Sequence, residues 1–216
     1  MAVMYENKEI CAICGGMCCK KCGCDFGVDN FDNLQIDYLQ KKLEEGYISI
    51  VSYQNFKKYG NKIVNNPFLY LRARNVNRPI VDLLSMKTTC LLLKETGCQL
   101  SFAERPKGGK NLIPRENHLC YPMKDPILII DEWKNYQQIL QRLVKRLTGN
   151  TVITQLKIDV ENLFYNVFIS NFDGVSKIEL LDIMGMLPIL EKVYPDEYTK
   201  AKNRVDKSQQ FIKVRK

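Results

Sequence analysis

Cysteine side chains crowd the start of the chain at spacings that suit shared binding of a metal. Cys11 and Cys14 form one C-x-x-C step, and Cys19 and Cys22 form a second. Such a step lets two sulfur atoms from one turn reach the same ion, and the two glycines after Cys14 allow tight folding around it. Six cysteines fall within fourteen residues: Cys11, Cys14, Cys18, Cys19, Cys22 and Cys24. The pattern predicts thiolate ligation of zinc or of an iron–sulfur cluster.

Disulfides and inert buried thiols are the two competing explanations for these cysteines. A disulfide framework needs an export signal, and Met1–Glu9 has no basic start followed by an apolar run. The nine cysteines are also an odd number, and the adjacent Cys18 and Cys19 are poorly placed to bond to each other. Buried thiols would explain an isolated cysteine such as Cys90 or Cys98, but not six in one short run. A reducing, cytoplasmic location is therefore expected.

The chain contains one histidine, His118, which removes several kinds of metal site. A two-His zinc finger, a His-Glu-x-x-His protease and a three-His catalytic zinc are all excluded. His118 lies two residues before Cys120, but a Cys–His nucleophile pair also needs an orienting group and an oxyanion site, and nothing marks either. Whether His118 is a metal ligand, a hydrogen-bond donor beside the site or a surface residue stays open.

A family resemblance appears at the cysteines. Cys11-x2-Cys14-x3-Cys18-Cys19 resembles the opening motif of the YkgJ-like cysteine-cluster family, whose members are described as zinc- or iron-chelating domains. A second match runs from Cys90 through the Gly-Cys pair at 97–98 to the Arg-Pro pair at 105–106. The resemblance covers roughly residues 10–125. It implies metal chelation and no single activity, since some relatives are named flagellin lysine methylases and others iron–sulfur oxidoreductases.

Clustering and resemblance together give a pool of expected metal ligands. The pool is Cys11, Cys14, Cys18, Cys19, Cys22, Cys90, Cys98 and Cys120. Family members usually carry a cysteine about three residues after Arg-Pro, whereas this chain has Lys107-Gly108-Gly109 there and its next cysteine at 120. Either an insertion has moved this ligand to Cys120 or the site has lost it. Cys24 is the expected spare.

The loop after Arg-Pro is also a candidate partner surface. If Cys120 has taken over as ligand, the inserted residues are expected to bulge outward, since glycines and Pro114 do not sustain regular structure. Such a bulge would present Lys107, Lys110 and Arg115 together, which predicts a surface for an anionic partner. A solvated loop with no partner is the alternative.

Other functions have less support from the residues. The chain has 216 residues and a formal charge of +8, and Arg72, Arg74 and Arg78 near Tyr70 resemble a basic-and-aromatic nucleic-acid footprint. A zinc-stabilised adaptor for nucleic acid or for a protein partner is therefore the second hypothesis. An enzyme of unrecognised substrate, such as a protein methylase, is the third, and whether the chain is an enzyme at all stays open. No phosphate-binding glycine motif and no apolar stretch long enough for a membrane span are present.

The elements around the cysteines predict an α+β fold. Period-2 patterns predict strands at 47–53 and 68–74, with Leu69, Leu71 and Ala73 on one face, and a short buried strand at 91–93. Residues 105–116 read as loop. Helical patterns cover 33–45, 131–148 and 152–170, a capping box at 176–179 precedes a third C-terminal helix that Pro188 should end or kink, and 200–216 reads as a partly frayed basic tail. We predict a metal-stapled cysteine-rich part at 1–125, packed on a helical part at 126–216.

Overall fold

The computed structural model describes residues 24–84, 89–95, 97–113, 121–122, 125–173, 175 and 177–214, together with residues 9, 13 and 16. The strands are β1 (Asp25–Phe26), β2 (Ile48–Tyr53), β3 (Phe56–Tyr59), β4 (Lys62–Asn65), β5 (Phe68–Ala73), β6 (Val81–Asp82), β7 (Leu93–Lys94), β8 (Gly97–Cys98), β9 (Leu112–Ile113) and β10 (Tyr121–Pro122). The helices are α1 (Ile36–Glu44), α2 (Lys107–Lys110), α3 (Ile127–Asp131), α4 (Gln137–Thr148), α5 (Val152–Phe168), α6 (Lys177–Val193) and α7 (Pro195–Val214), with 3-10 turns at Val28–Asn30 and Glu132–Tyr136. The predicted α+β class is confirmed.

The main sheet has the order β1-β5-β2-β6, with β5 antiparallel to both neighbours and β6 parallel to β2. The predicted strand at 68–74 is confirmed as β5. Its burial does not alternate, because Tyr70 and Arg72 on the second face are as buried as Leu69 and Leu71 on the first. A strand with neighbours on both sides and cover on both faces loses the period-2 exposure of a half-buried strand.

The helical half packs onto this sheet. Trp133 is fully buried, and its indole Nε1 donates a hydrogen bond of 2.7 Å to the carbonyl oxygen of Phe26 in β1. The predicted helices at 131–148 and 152–170 are confirmed, and α4 ends at Gly149, whose φ of 76° is left-handed. One hydrophobic core cluster contains Leu71 from the first predicted part and Val160 from the second. The boundary between residues 125 and 126 stays a prediction.

Some local predictions differ from the structure. Pro188 does not end α6, which continues through it to the fully buried Leu190. A kink at Pro188 stays a prediction. Helix α7 runs to Val214 across the expected basic tail, and its first turns pack on α5 through an edge-to-face contact with 5.2 Å between the Tyr198 and Phe164 ring centroids. The short strand expected at 91–93 lies instead at β7, and Leu91 is exposed.

Within the described part of the chain, no helix combines the length and apolar character needed to cross a membrane.

Candidate metal centre

The cysteine run and the second cysteine segment meet at Gly16. Its backbone has a left-handed φ of 72°, and a Cβ built on it would overlap Cδ1 of Leu93 and lie 3.4 Å from Cγ of the same side chain. Gly16 is buried. Gly16 stands between Cys14 and Cys18 in the sequence, so one residue of the N-terminal segment is in contact with strand β7.

Strand β7 pairs with β8, the strand that contains Cys98. Leu93 and Cys98 are direct partners in the antiparallel β7–β8 hairpin, and Gly97 at the turn has a φ of 110°. The amide of Gln99 donates to the carbonyl oxygen of Leu92 at 2.8 Å and extends the pairing. Cys98 is half-buried. The hairpin therefore holds Cys98 opposite the residue that touches Gly16.

Cys90 is held by an extension of the main sheet. It forms an isolated antiparallel bridge with Asn75, two residues beyond the end of β5. The amide of Leu91 donates to the carbonyl oxygen of Arg74, and the amide of Val76 donates to that of Thr89, both at 2.8 Å. Only 3% of Cys90 is exposed. The backbone on both sides of this thiol is thus fixed to the sheet.

Cys24 lies against the turn where the family resemblance expects a cysteine. Its carbonyl oxygen accepts a hydrogen bond of 2.8 Å from the amide of Ala73, which extends the β1–β5 pairing. Its Sγ lies 3.2 Å from the point where a Cβ on Gly109 would stand. A Cβ on Gly108 would lie 2.8 Å from the backbone nitrogen of Asp25. The two glycines therefore let α2 lie flat on the start of β1.

This packing corrects, at residues 107–110, the prediction that residues 105–116 are loop. The outward bulge expected if Cys120 is the ligand stays a prediction for residues 114–120, which lie outside the described residues. Residues 107–110 form the helical turn α2, because the absence of Cβ atoms allows backbone-to-backbone contact with β1. Lys107 Nζ is 2.9 Å from Oδ2 of Asp29 and 2.6 Å from Oε1 of Glu132. Burial opposes the charge of Lys107, but the hydrogen bonds to Glu132 and Asp29 outweigh burial and raise the pKa of its ammonium group.

The anionic-partner surface predicted at Lys107, Lys110 and Arg115 stays a prediction. Lys107 already has two carboxylate partners, and Lys110 is half-buried. Arg115 lies outside the described residues.

Most of the predicted metal ligands also lie outside the described residues. These are Cys11, Cys14, Cys18, Cys19, Cys22 and Cys120, and His118 lies outside with them. The described cysteines, Cys24, Cys90 and Cys98, form no disulfide. Among the residues that the structure describes, no three His, Cys, Asp or Glu side chains come together as a metal site.

Arg72, the first arginine of the predicted nucleic-acid footprint, is buried. Arg72 Nε donates to Oδ1 of Asp25 at 2.7 Å, and both side chains are about nine-tenths buried, with relative exposures of 9% and 11%. Arg74 and Arg78 are half-buried, and Arg74 Nε donates to the carbonyl oxygen of Arg78 at 2.6 Å. Nucleic-acid binding at this footprint stays a prediction. Asp25 was not predicted as the partner of Arg72, because it lies 47 residues before Arg72 and no local sequence pattern marks it.

Comparison with known proteins adds no relative: no family model, no curated protein and no solved structure matches the chain.

Proposed function

We propose that this chain is a metal-binding protein that holds zinc or an iron–sulfur cluster through clustered cysteine thiolates. The expected ligands are Cys11, Cys14, Cys18, Cys19, Cys22, Cys90, Cys98 and Cys120. The expected role is redox chemistry or metal handling in the cytoplasm. The observation that carries the proposal is the contact of Gly16 with Leu93, because it joins the two segments in which these thiols lie.

The described residues fit such a site in three respects. Cys90 is anchored by backbone hydrogen bonds of the flanking residues and Cys98 by a hairpin, so neither thiol needs a large rearrangement to serve as ligand. Neither thiol is consumed in a disulfide. The donor set is sulfur-rich, which suits zinc and iron–sulfur clusters and disfavours hard cations such as Mg²⁺ or Ca²⁺.

Elemental analysis of protein purified without oxygen and without added metal tests the proposal directly. A brown protein with iron and acid-labile sulfide would identify an iron–sulfur cluster, and a colourless protein with zinc would identify a zinc site. Protein that folds fully and contains neither metal in stoichiometric amount would contradict the proposal.

Single substitutions at the two described ligands sharpen the test. Cys98→Ser is the better probe, because Cys98 is half-buried and a hydroxyl is tolerated there. We expect Cys98→Ser and Cys90→Ser to lower metal content while circular dichroism reports retained helix. Cys24→Ser is the matched control, since it removes a described thiol outside the ligand pool. Full metal occupancy in both ligand variants would exclude the second segment from the site.

A further inference from the structure

A segment of the chain without acidic residues forms part of a second candidate surface, which contains no cysteine. From Gly46 to Val81 there are 36 residues with six Lys or Arg and no Asp or Glu. Of the three arginines of this stretch, Arg72 is buried and Arg74 and Arg78 are half-buried. The three lysines, Lys57, Lys58 and Lys62, are exposed on the β3–β4 hairpin. None of these lysines has a carboxylate partner among the described residues.

The register of the hairpin sorts its side chains onto two faces. Lys57 pairs with Val64 and Tyr59 pairs with Lys62, so these four residues share one face. The opposite face carries Asn65, which is buried and donates from Nδ2 to the hydroxyl of Tyr194 at 2.9 Å. The hairpin is thus docked by one face, while the other presents two lysines around Tyr59, whose side chain is 59% exposed.

An open groove continues from the base of this hairpin. Its volume is about 880 Å³, and its lining includes Asn66, Pro67, Gln138, Gln141, Arg142 and Lys145. Asn66 directly follows the last residue of β4, so the groove begins where the hairpin ends. The lining contains two cations, three amide side chains and no carboxylate among the described residues. We name the hairpin face and this groove together the basic ribbon surface.

We propose that the basic ribbon surface binds single-stranded nucleic acid. Lysine and arginine side chains without carboxylate partners complement a phosphate backbone, and binding to them releases condensed counterions. An exposed tyrosine between lysines offers a stacking platform, which only unpaired bases can use. The amides of Asn66, Gln138 and Gln141 supply both donors and acceptors for base edges.

The same features argue against other polyanions. A bilayer surface presents no base edges to the amides, and it does not enter a groove. A duplex hides its base faces, so Tyr59 would add nothing to its binding. Because none of the residues that define the basic ribbon surface is a predicted metal ligand, the proposal is independent of the proposed metal site.

Fluorescence anisotropy with the full-length protein tests the assignment. The probes are a labelled oligo-dT strand, a labelled oligo-U strand and a labelled duplex, each titrated at several salt concentrations. Removing two phosphate contacts with Lys57→Gln/Lys62→Gln should weaken single-strand binding and reduce the slope of log K against log salt by about 1.4. Tyr59→Ser should weaken binding about fivefold or more, at nearly unchanged salt slope.

A charge-matched variant distinguishes binding at a defined site from nonspecific electrostatic attraction of nucleic acid to a basic protein. Lys41→Gln/Lys202→Gln removes two exposed lysines from α1 and α7, away from the basic ribbon surface, and should leave single-strand affinity nearly unchanged. Equal losses in this control and in the hairpin double variant would overturn the proposal. Duplex binding as tight as single-strand binding, or no effect of Tyr59→Ser, would overturn it as well. Metal content measured on every variant keeps the result separate from the cysteine site.

Discussion

The backbone of Gly16 lies directly against the side chain of Leu93, although 77 residues separate them in the sequence. The contact requires two properties of glycine at once: a left-handed φ of 72° and the absence of a Cβ that would overlap Cδ1 of Leu93. Cys14 and Cys18, two residues before and two residues after Gly16, belong to the predicted ligand pool, and Leu93 is paired with Cys98. Metal binding and the packing of Gly16 on β7 are therefore expected to depend on each other.

Substitution of Gly16 by alanine tests this dependence. The left-handed φ costs about 1–2 kcal/mol for a residue with a Cβ. The overlap with Leu93 adds about 1–3 kcal/mol of overpacking. We expect Gly16→Ala to lower the free energy of unfolding by the sum of these effects, measured by urea unfolding, and to lower metal content in the same preparation.

Two further variants isolate the contribution of the contact. Gly60 has a comparable φ of 58°, and a Cβ there would meet no atom within 4 Å, so Gly60→Ala should show the backbone cost alone. The double variant Gly16→Ala/Leu93→Ala should recover the overlap cost, although Leu93→Ala alone is destabilising. Equal destabilisation by Gly16→Ala and Gly60→Ala would show that the Leu93 contact has no energetic weight.

A second prediction concerns which thiol serves beside the Arg-Pro turn. Cys120→Ser should lower metal content if the ligand has moved to Cys120. Cys24→Ser should leave metal content unchanged, because the Cys24 sulfur packs within the hydrophobic core cluster beside Gly109. Elemental analysis of the two variants side by side decides the question. The opposite result, with loss only in Cys24→Ser, would make Cys24 the ligand at this turn and Cys120 the spare.

Helices and strands with a clear hydrophobic periodicity were predictable from the sequence. The apolar faces of α4 and α5 follow from the helical spacing of their apolar residues, and the end of α4 follows from Gly149. Predictions failed where a distant contact outweighs a local preference. Pro188 is unfavourable within a helix, but α6 continues past it to the fully buried Leu190. Gly108 and Gly109 favour a loop in isolation, but they form a helical turn because β1 lies against them.

For the candidate metal centre, only the spacing of the cysteines along the chain was informative. The C-x-x-C steps and the Gly-Cys pair mark thiols that suit a metal, but no local pattern reveals that Gly16 touches Leu93 or that Cys90 bridges Asn75. Arg72 in β5 illustrates the same limit. Its charge favours an exposed basic surface, but the ion pair with Asp25, which is distant in the sequence, makes the burial of Arg72 possible.

The buried pair of Asp25 and Arg72 gives a third prediction. Removing one member of a buried ion pair leaves an uncompensated charge and costs about 3–5 kcal/mol. We expect Asp25→Asn to destabilise the protein by about this amount in urea unfolding. Asp37→Asn is the matched control, because its pair with Arg146 is similarly short at 2.6 Å but exposed, and such pairs contribute about 0–1 kcal/mol. Similar effects of the two substitutions would contradict the buried-pair interpretation.

The last prediction concerns Asp159, the carboxylate of α5 that lies close to Leu83 and Asp82. The pKa of Asp159 is raised to about 6: burial raises it most and Asp82 also raises it, while hydrogen bonds from Gln155 and the backbone of Leu83, together with Arg78, act in the opposite direction. Its Oδ2 is buried and has no hydrogen-bond partner among the described residues.

Because the pKa of Asp159 in the folded protein exceeds the ordinary value of 3.8, the folded state binds the proton more tightly than the unfolded chain does. The stability from this proton is fully present below the ordinary pKa and is lost as the pH rises through about 6. Asp159→Asn should abolish this loss and, relative to the native protein, gain about 1 kcal/mol on going from about pH 5 to about pH 8 in urea unfolding. Asp206→Asn, an exposed substitution on α7, should not change the pH dependence. A native pH profile that Asp159→Asn leaves unaltered would show that this carboxylate is ionised throughout, with its burial compensated by Arg78 and the hydrogen bonds.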